Sequence, residues 1–200
     1  MRGTPYIYMG EELGMIDPDY SSIDSYIDVE CKNAFKELQQ KGISEKQAFD
    51  IVKSKSRDNS RVPMHWDSSQ YAGFSSVTPW LMPTDQDQIN VKDELTHGEI
   101  FNYYQNLIKL RHNEELISDG HIRMFLKDDP QVLAYERFLD DQPSKLLVFN
   151  NFYGQSHTVT LPKAFQKQAA QVVISNYDQQ DINLQETLTL RPYEALAIKI

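Results

Sequence analysis

The chain has 200 residues with 20 Lys plus Arg against 29 Asp plus Glu, a formal net charge of −9, which excludes a phosphate-backbone binder because that role needs clustered cations. A hydrophobic content of 40%, an aromatic content of 11%, 8 Gly and 9 Pro exclude disordered and collagen-like chains. The length allows one or two domains with a real core.

In chain order, Tyr6-Ile7-Tyr8-Met9 is a short apolar run after Pro5, closed by Gly10. It predicts a strand buried on both faces, as in parallel sheets. Residues 11–26 turn polar and acidic and predict a long loop. Val29, Ala34 and Leu38 recur at near-helical spacing before Gly42, which predicts a helix over 28–40. Ser44 with Gln47 forms a capping-box pattern for a second helix ending near Ser56.

Residues 57–97 hold prolines and both tryptophans without a sustained period, and read as an irregular excursion. Thr96 with Glu99 suggests a further capping box, opening an amphipathic helix through Ile100, Phe101, Tyr104, Leu107, Ile108 and Arg111. After Gly120 the pattern becomes β-rich. Seven short runs, 122–126, 132–138, 146–149, 158–161, 172–175, 188–190 and 195–200, predict an antiparallel sandwich. Its expected core is Leu126, Val132, Leu146, Val148, Val172, Ile174 and Leu196. The chain thus divides near Ser118-Asp119-Gly120, into residues 1–118 and a β-domain over 119–200.

A single Cys31 cannot form an internal disulfide, so a reducing, cytoplasmic setting is expected. Neither a signal peptide nor an apolar run of about 18 residues is present, so no membrane association is expected. The five histidines show no pairing at i+3 or i+4, and Asp17, Asp19, Ser21 and Asp28 lack the Gly and Glu of a calcium loop. No metal and no cofactor are expected. Phosphate-cradling glycine motifs and a nucleophile elbow are also absent, so nucleotide chemistry and acyl transfer are unsupported.

What remains is carboxylates and arginines: Glu11, Glu12, Asp24, Asp28 and Glu30 ahead of Arg57-Asp58-Asn59-Ser60-Arg61. The carboxylates fit either glycoside chemistry or a solvated acidic loop. Arg57 and Arg61 fit either a clamp on a ligand or ion pairs that anchor a loop.

The segments Gly3 to Met15, Asp28-Val29-Glu30, Lys55 to Asp67, Ala72-Gly73-Phe74 and Thr78-Pro79-Trp80 closely resemble the α-glucosidase branch of the α-amylase superfamily. The resemblance implies the last strand, the long substrate-side loops and the last helix of a (β/α)8 barrel, followed by the family's C-terminal β-sandwich. Barrel active sites lie at the C-terminal ends of the strands. The implied activity is retaining, exo-acting hydrolysis of terminal α-glucosidic bonds in oligosaccharides. The family's Asp nucleophile and Glu acid/base fall on earlier strands, so no catalytic residue carries over and the chain alone is expected to be inactive.

Arg57 takes the position of the family's glucose-gripping arginine. Arg61 and Glu30 are the further substrate-binding carry-overs, Glu30 toward the aglycone side. Met9 and His65 stand where many relatives carry Gln. The implied partner is an α-glucoside oligosaccharide, with self-association expected through the exposed barrel strand. The alternative is a non-catalytic carbohydrate-binding or structural module.

Overall fold

A computed structural model describes residues 2–200. The chain forms two compact units, residues 6–102 and residues 103–200 together with 2–5.

In the first unit, α1 (Val29–Gln40) starts where the Asp28 side chain accepts the Glu30 N–H, and α2 (Glu45–Lys53) starts where Ser44 accepts the Gln47 N–H. Each cap satisfies a donor that the first helical turn leaves without an intrahelical partner. The expected Ser44–Gln47 box forms only in part, because the Ser44 hydroxyl donates to Gln47 Oε1 at 3.0 Å. The two helices bury Cys31, Phe35, Ala48 and Val52 against Tyr20, Tyr26, Val62 and Leu81. Half of this core therefore comes from segments that read as open loop. Tyr20 and Tyr26 meet edge to face at 5.2 Å, and Tyr20 Oη donates to the Met82 carbonyl at 2.7 Å. The acidic stretch is thus pinned at its tyrosines, while its carboxylates stay at the surface.

Two expectations for this unit are corrected. Tyr6 to Met9 forms no strand, with Met9 already in a turn, and all four side chains are exposed. A strand exists only through a ladder partner for its N–H and C=O groups, and no second strand is present in this unit. The Thr96–Glu99 box does not form either. Thr96 sits inside an additional helix, α3 (Val91–His97), capped by Asn90, with its hydroxyl on the Lys92 carbonyl at 3.0 Å. The chain breaks at Gly98 instead, where any Cβ would overlap the Glu94 side chain and carbonyl. Glu94 Oε2 then accepts the Phe101 N–H at 3.3 Å, opening α4 (Glu99–Asn113).

The second unit carries the remainder of α4, the short α5 (Glu115–Ser118) and eight strands: β1 (His121–Phe125), β2 (Val132–Phe138), β3 (Lys145–Asn151), β4 (His157–Thr160), β5 (Ala169–Ser175), β6 (Ile182–Asn183), β7 (Thr187–Leu190) and β8 (Ala195–Lys199). All seven expected strands are present within a few residues. The two-residue β6 is additional, too short to leave a periodic signal. Six strands form one sheet in the order β1-β2-β3-β8-β5-β6, while β4 and β7 form a second, and every pairing is antiparallel.

The sheets enclose Val132, Leu147, Phe149, Val159, Leu190 and Ile198. Leu146, Val148 and Ile174, expected in this core, lie on the other face of the large sheet in a cluster with Leu116 and Ala197. Strand alternation explains Leu146 and Val148, whose neighbours Leu147 and Phe149 take the inner face, whereas a bulge between Val172 and Ile174 moves Ile174 to the opposite face from Val172. Among the described residues no helix is long and apolar enough to cross a membrane.

Candidate functional site

The Arg57–Arg61 motif folds as a 3-10 turn over Arg57–Ser60, capped by Ser56 Oγ, which accepts the Asp58 N–H. In a 3-10 turn successive side chains point about 120° apart, so neighbours face different surroundings. Asp58 points inward and is fully buried, where Oδ2 accepts the backbone N–H groups of Ile27 at 2.7 Å and Asp28 at 2.8 Å. Arg57 points outward and lays one edge of its guanidinium on Asp28, with Nε to Oδ2 at 3.1 Å and Nη2 to Oδ1 at 2.6 Å. Nη2 also lies 3.4 Å from Glu30 Oε2. Asp28 therefore serves twice, as the cap of α1 and as the acceptor of a bidentate fork.

The motif's other residues tie the same turn to its surroundings. Asn59 Nδ2 donates to the Lys53 carbonyl at 2.8 Å and to Asp17 Oδ2 at 3.1 Å. Tyr8 Oη donates to the Ser60 carbonyl at 2.7 Å. Arg61 Nη1 lies 3.5 Å from Asp58 Oδ1. A cleft of about 160 Å³ runs along this turn between Tyr8, Glu11, Asp17 and Asn59.

The structure thus brings Arg57, Glu30 and Arg61 into one neighbourhood, joined by two buried aspartates. Arg57 keeps 56% of its side chain exposed against 4% for Asp28. Among the described residues its Nη1 has no hydrogen-bond partner, so the outer edge of the fork is open to a ligand. Glu11 and Glu12 lie apart from the fork in a 3-10 turn over Glu11–Leu13, with Glu12 accepting the Gly10 N–H at 2.9 Å. Asp19 is engaged by Lys53 at 2.5 Å. Among the described residues no group of three or more His, Cys, Asp or Glu is placed to hold a metal ion. His65 is buried with Nδ1 3.0 Å from the Ile89 carbonyl, while Met9 is exposed.

The two charges of the fork stabilise each other. The Arg57 guanidinium holds the Asp28 carboxyl below its ordinary value of 3.8, and Asp28 raises Arg57 in turn. A carboxylate depressed in the folded state contributes stability above its unfolded pKa and loses it as pH falls through the folded one. Acid titration from about pH 5 to pH 2 is therefore expected to loosen residues 6–102, read by the fluorescence of Trp66 and Trp80. Asp28→Asn, which retains a capping side chain, should flatten the part of that transition due to Asp28. An unchanged acid midpoint in the variant would contradict it.

A larger concavity, about 640 Å³, lies elsewhere, in the unit containing the β-domain. Its lining of Tyr103, Leu107, Leu110, Tyr135 and Val148 is mainly apolar, with Arg111 and Arg137, and contains no carboxylate. That composition suits packing rather than glycoside chemistry.

Residues 1–120 match the family described as the α-amylase catalytic domain, and residues 132–196 match the α-amylase SusG C-terminal domain. The chain belongs to the α-amylase family. Within it, trehalose-6-phosphate hydrolase of Bacillus subtilis is 39% identical over 204 residues, covering 100% of the chain and 36% of that protein. Oligo-1,6-glucosidase of Halalkalibacterium halodurans is 38% identical over 197 residues, covering 98% of the chain and 35% of that protein. The crystal structure of Bacillus licheniformis trehalose-6-phosphate hydrolase superimposes with a TM-score of 0.90 at 39% identity, over 99% of the chain and 36% of its own.

The chain therefore spans about a third of the length of these α-amylase family members. It comprises the end of the catalytic domain and the β-domain that follows. Asp28 and Asp58 as supports of Arg57 escaped the sequence reading. Asp28-Val29-Glu30 stood out only as part of the family resemblance, because a pairing 29 residues apart leaves no local signal.

Proposed function

We propose that the chain is the C-terminal part of a retaining, exo-acting α-glucosidase that hydrolyses terminal α-glucosidic bonds of oligosaccharides. Arg57 contacts the terminal glucose, with Arg61 and Glu30 at its border. The observation carrying this reading is the one-sided clamp on Arg57: Asp28 fixes Nε and Nη2 while Nη1 stays open. A pinned planar fork presents its remaining donor in a fixed direction, which suits a sugar hydroxyl and limits the ordering cost of binding. Family membership and the names of the relatives supply the substrate class. No residue of the chain is assigned as nucleophile or acid/base.

The test is a chimera in which this chain replaces the matching last third of the Halalkalibacterium oligo-1,6-glucosidase. The chimera is expected to hydrolyse an aryl α-glucoside with retention, whereas the purified 200-residue chain is expected to release no product. A folded but inert chimera would favour a binding or structural module instead. Turnover by the chain alone would overturn the assignment of the catalytic carboxylates to other parts of the protein.

A further inference from the structure

Three loops at one end of the β-domain build a rigid aromatic surface that the proposed glucosidase site does not use. The β3–β4 loop carries Phe152 and Tyr153, the β7–β8 turn carries Tyr193, and the segment after β5 carries Asn176 and Tyr177. Tyr193 has φ 52°, a left-handed conformation that is a genuine outlier for a bulky side chain. Its ring lies over Gly154, where a Cβ would come within 3.1 Å of Oη and 3.4 Å of ring carbons. Glycine is thus what lets the ring lie flat.

This arrangement is fixed from several directions. Tyr193 N–H donates to the Tyr153 carbonyl at 3.0 Å, Asn176 Nδ2 donates to the Tyr193 carbonyl at 2.9 Å, and Tyr177 Oη donates to the Pro192 carbonyl at 2.8 Å. Beneath them Asn151 is buried, with Nδ2 donating to the carbonyls of Gln155 at 2.7 Å and Arg191 at 2.8 Å, and Oδ1 accepting the Tyr153 N–H at 3.1 Å. Buried Glu194 accepts the Arg191 N–H and pairs with its guanidinium, both at 2.6 Å. All of this holds outward three rings that remain exposed: Phe152 at 65%, Tyr153 at 52% and Tyr193 at 64%. Exposed aromatic surface gains nothing for folding, and a strained backbone that other groups over-determine points from the outlier toward function.

We infer that this surface, centred on Tyr193, is a binding site for the glucosyl units of an oligosaccharide. An aromatic face carries a negative quadrupole, which the C–H-bearing face of a pyranose complements. The nearby polar groups, Asn176, Gln155 and the tyrosine hydroxyls, are uncharged, and Arg191 is neutralised by Glu194. A neutral, hydroxylated ligand with one apolar face fits that surface, whereas a nucleic acid conflicts with the net charge of −9. Choosing glucosyl units rests on the proposed α-glucosidase reading, but the architecture of the surface does not.

The experiment titrates the 200-residue chain with maltotetraose and, separately, isomaltotetraose, followed by amide NMR. At least one sugar should shift the amides of Tyr153, Gly154, Asn176 and Tyr193 with a dissociation constant on the order of 1 mM. Tyr193→Gly removes the ring and relaxes the left-handed residue. It should weaken binding about tenfold or more while Tm stays within about 3 °C of wild type. Tyr193→Phe should retain binding. Arg57→Ala should leave these shifts unchanged, so failure of the glucosidase reading leaves this result standing. No shift with either sugar, unchanged binding in Tyr193→Gly, or shifts that follow protein concentration instead of sugar would each overturn the inference.

Discussion

Arg137→Met is expected to destabilise the β-domain by about 3 kcal/mol or more, the cost of leaving several buried carbonyls without a donor. Arg137 lies in β2 and is 1% exposed. Its Nη2 donates to the carbonyls of Ile117 at 2.8 Å and Gly120 at 2.7 Å, and its Nε to that of His121 at 3.2 Å. These are the carbonyls at the end of α5 and the start of β1, which no further helical turn can satisfy. Gly120 lets the chain close on that point, since a Cβ there would overlap the Leu116 carbonyl.

Burial pulls Arg137 below its ordinary value of 12.5, but an arginine remains charged at neutral pH. Methionine has similar length and no donor, so it fills the space and exposes the polar cost. For a unit of about 100 residues this corresponds to a Tm fall of roughly 12 °C or more. Both tryptophans lie in residues 6–102, so the fall should be read from methyl or amide NMR signals of β-domain residues. A shift below about 3 °C would mean that water satisfies those carbonyls without the fork.

Legibility in the sequence followed the range of the interaction. Ser44 announced α2 because a cap acts on a residue three positions away, and α1 showed in the spacing of Val29, Ala34 and Leu38 ahead of Gly42. The β-domain strands announced themselves through short β-rich runs between turns. Ladder pairing is another matter. Tyr6 to Met9 has the composition of a buried strand, yet a strand requires a partner, and nothing in its own residues supplies one.

Thr96 and Glu99 match a capping box by spacing, but the crowding of Gly98 by Glu94 fixes the break two residues later than Thr96. Leu146 and Val148 were correctly read as strand residues, although sheet-face assignment needs the neighbouring sheet. At the candidate site, Arg57 carried a family signature, whereas Asp28 and Asp58 became its supports only through contacts spanning about 30 positions. The Tyr193 surface was unreadable for the same reason, as it joins three loops.

In a full-length enzyme of the proposed function carrying this chain, Arg57→Lys is expected to lower kcat/KM for substrates with a free terminal glucose by roughly 10- to 150-fold, the range set by losing one charge-assisted hydrogen bond. The geometry of the fork gives the reason for this expectation. Arg57 uses Nε and Nη2 on Asp28, and in the proposed function Nη1 is the donor offered to the sugar. An ammonium on a flexible stem can stay with Asp28 or reach outward, but it lacks a rigid plane to fix both directions together. Stability should move little, because the arginine side chain is 56% exposed and solvent screens the pair. Asp28 also keeps its hydrogen bond to the Glu30 N–H. A Tm change within about 3 °C, with the loss in kcat/KM, would assign Arg57 to the sugar. Wild-type kinetics with a large fall in Tm would assign the fork to anchoring the turn on α1, and Asp28→Asn should then reproduce that fall without touching turnover.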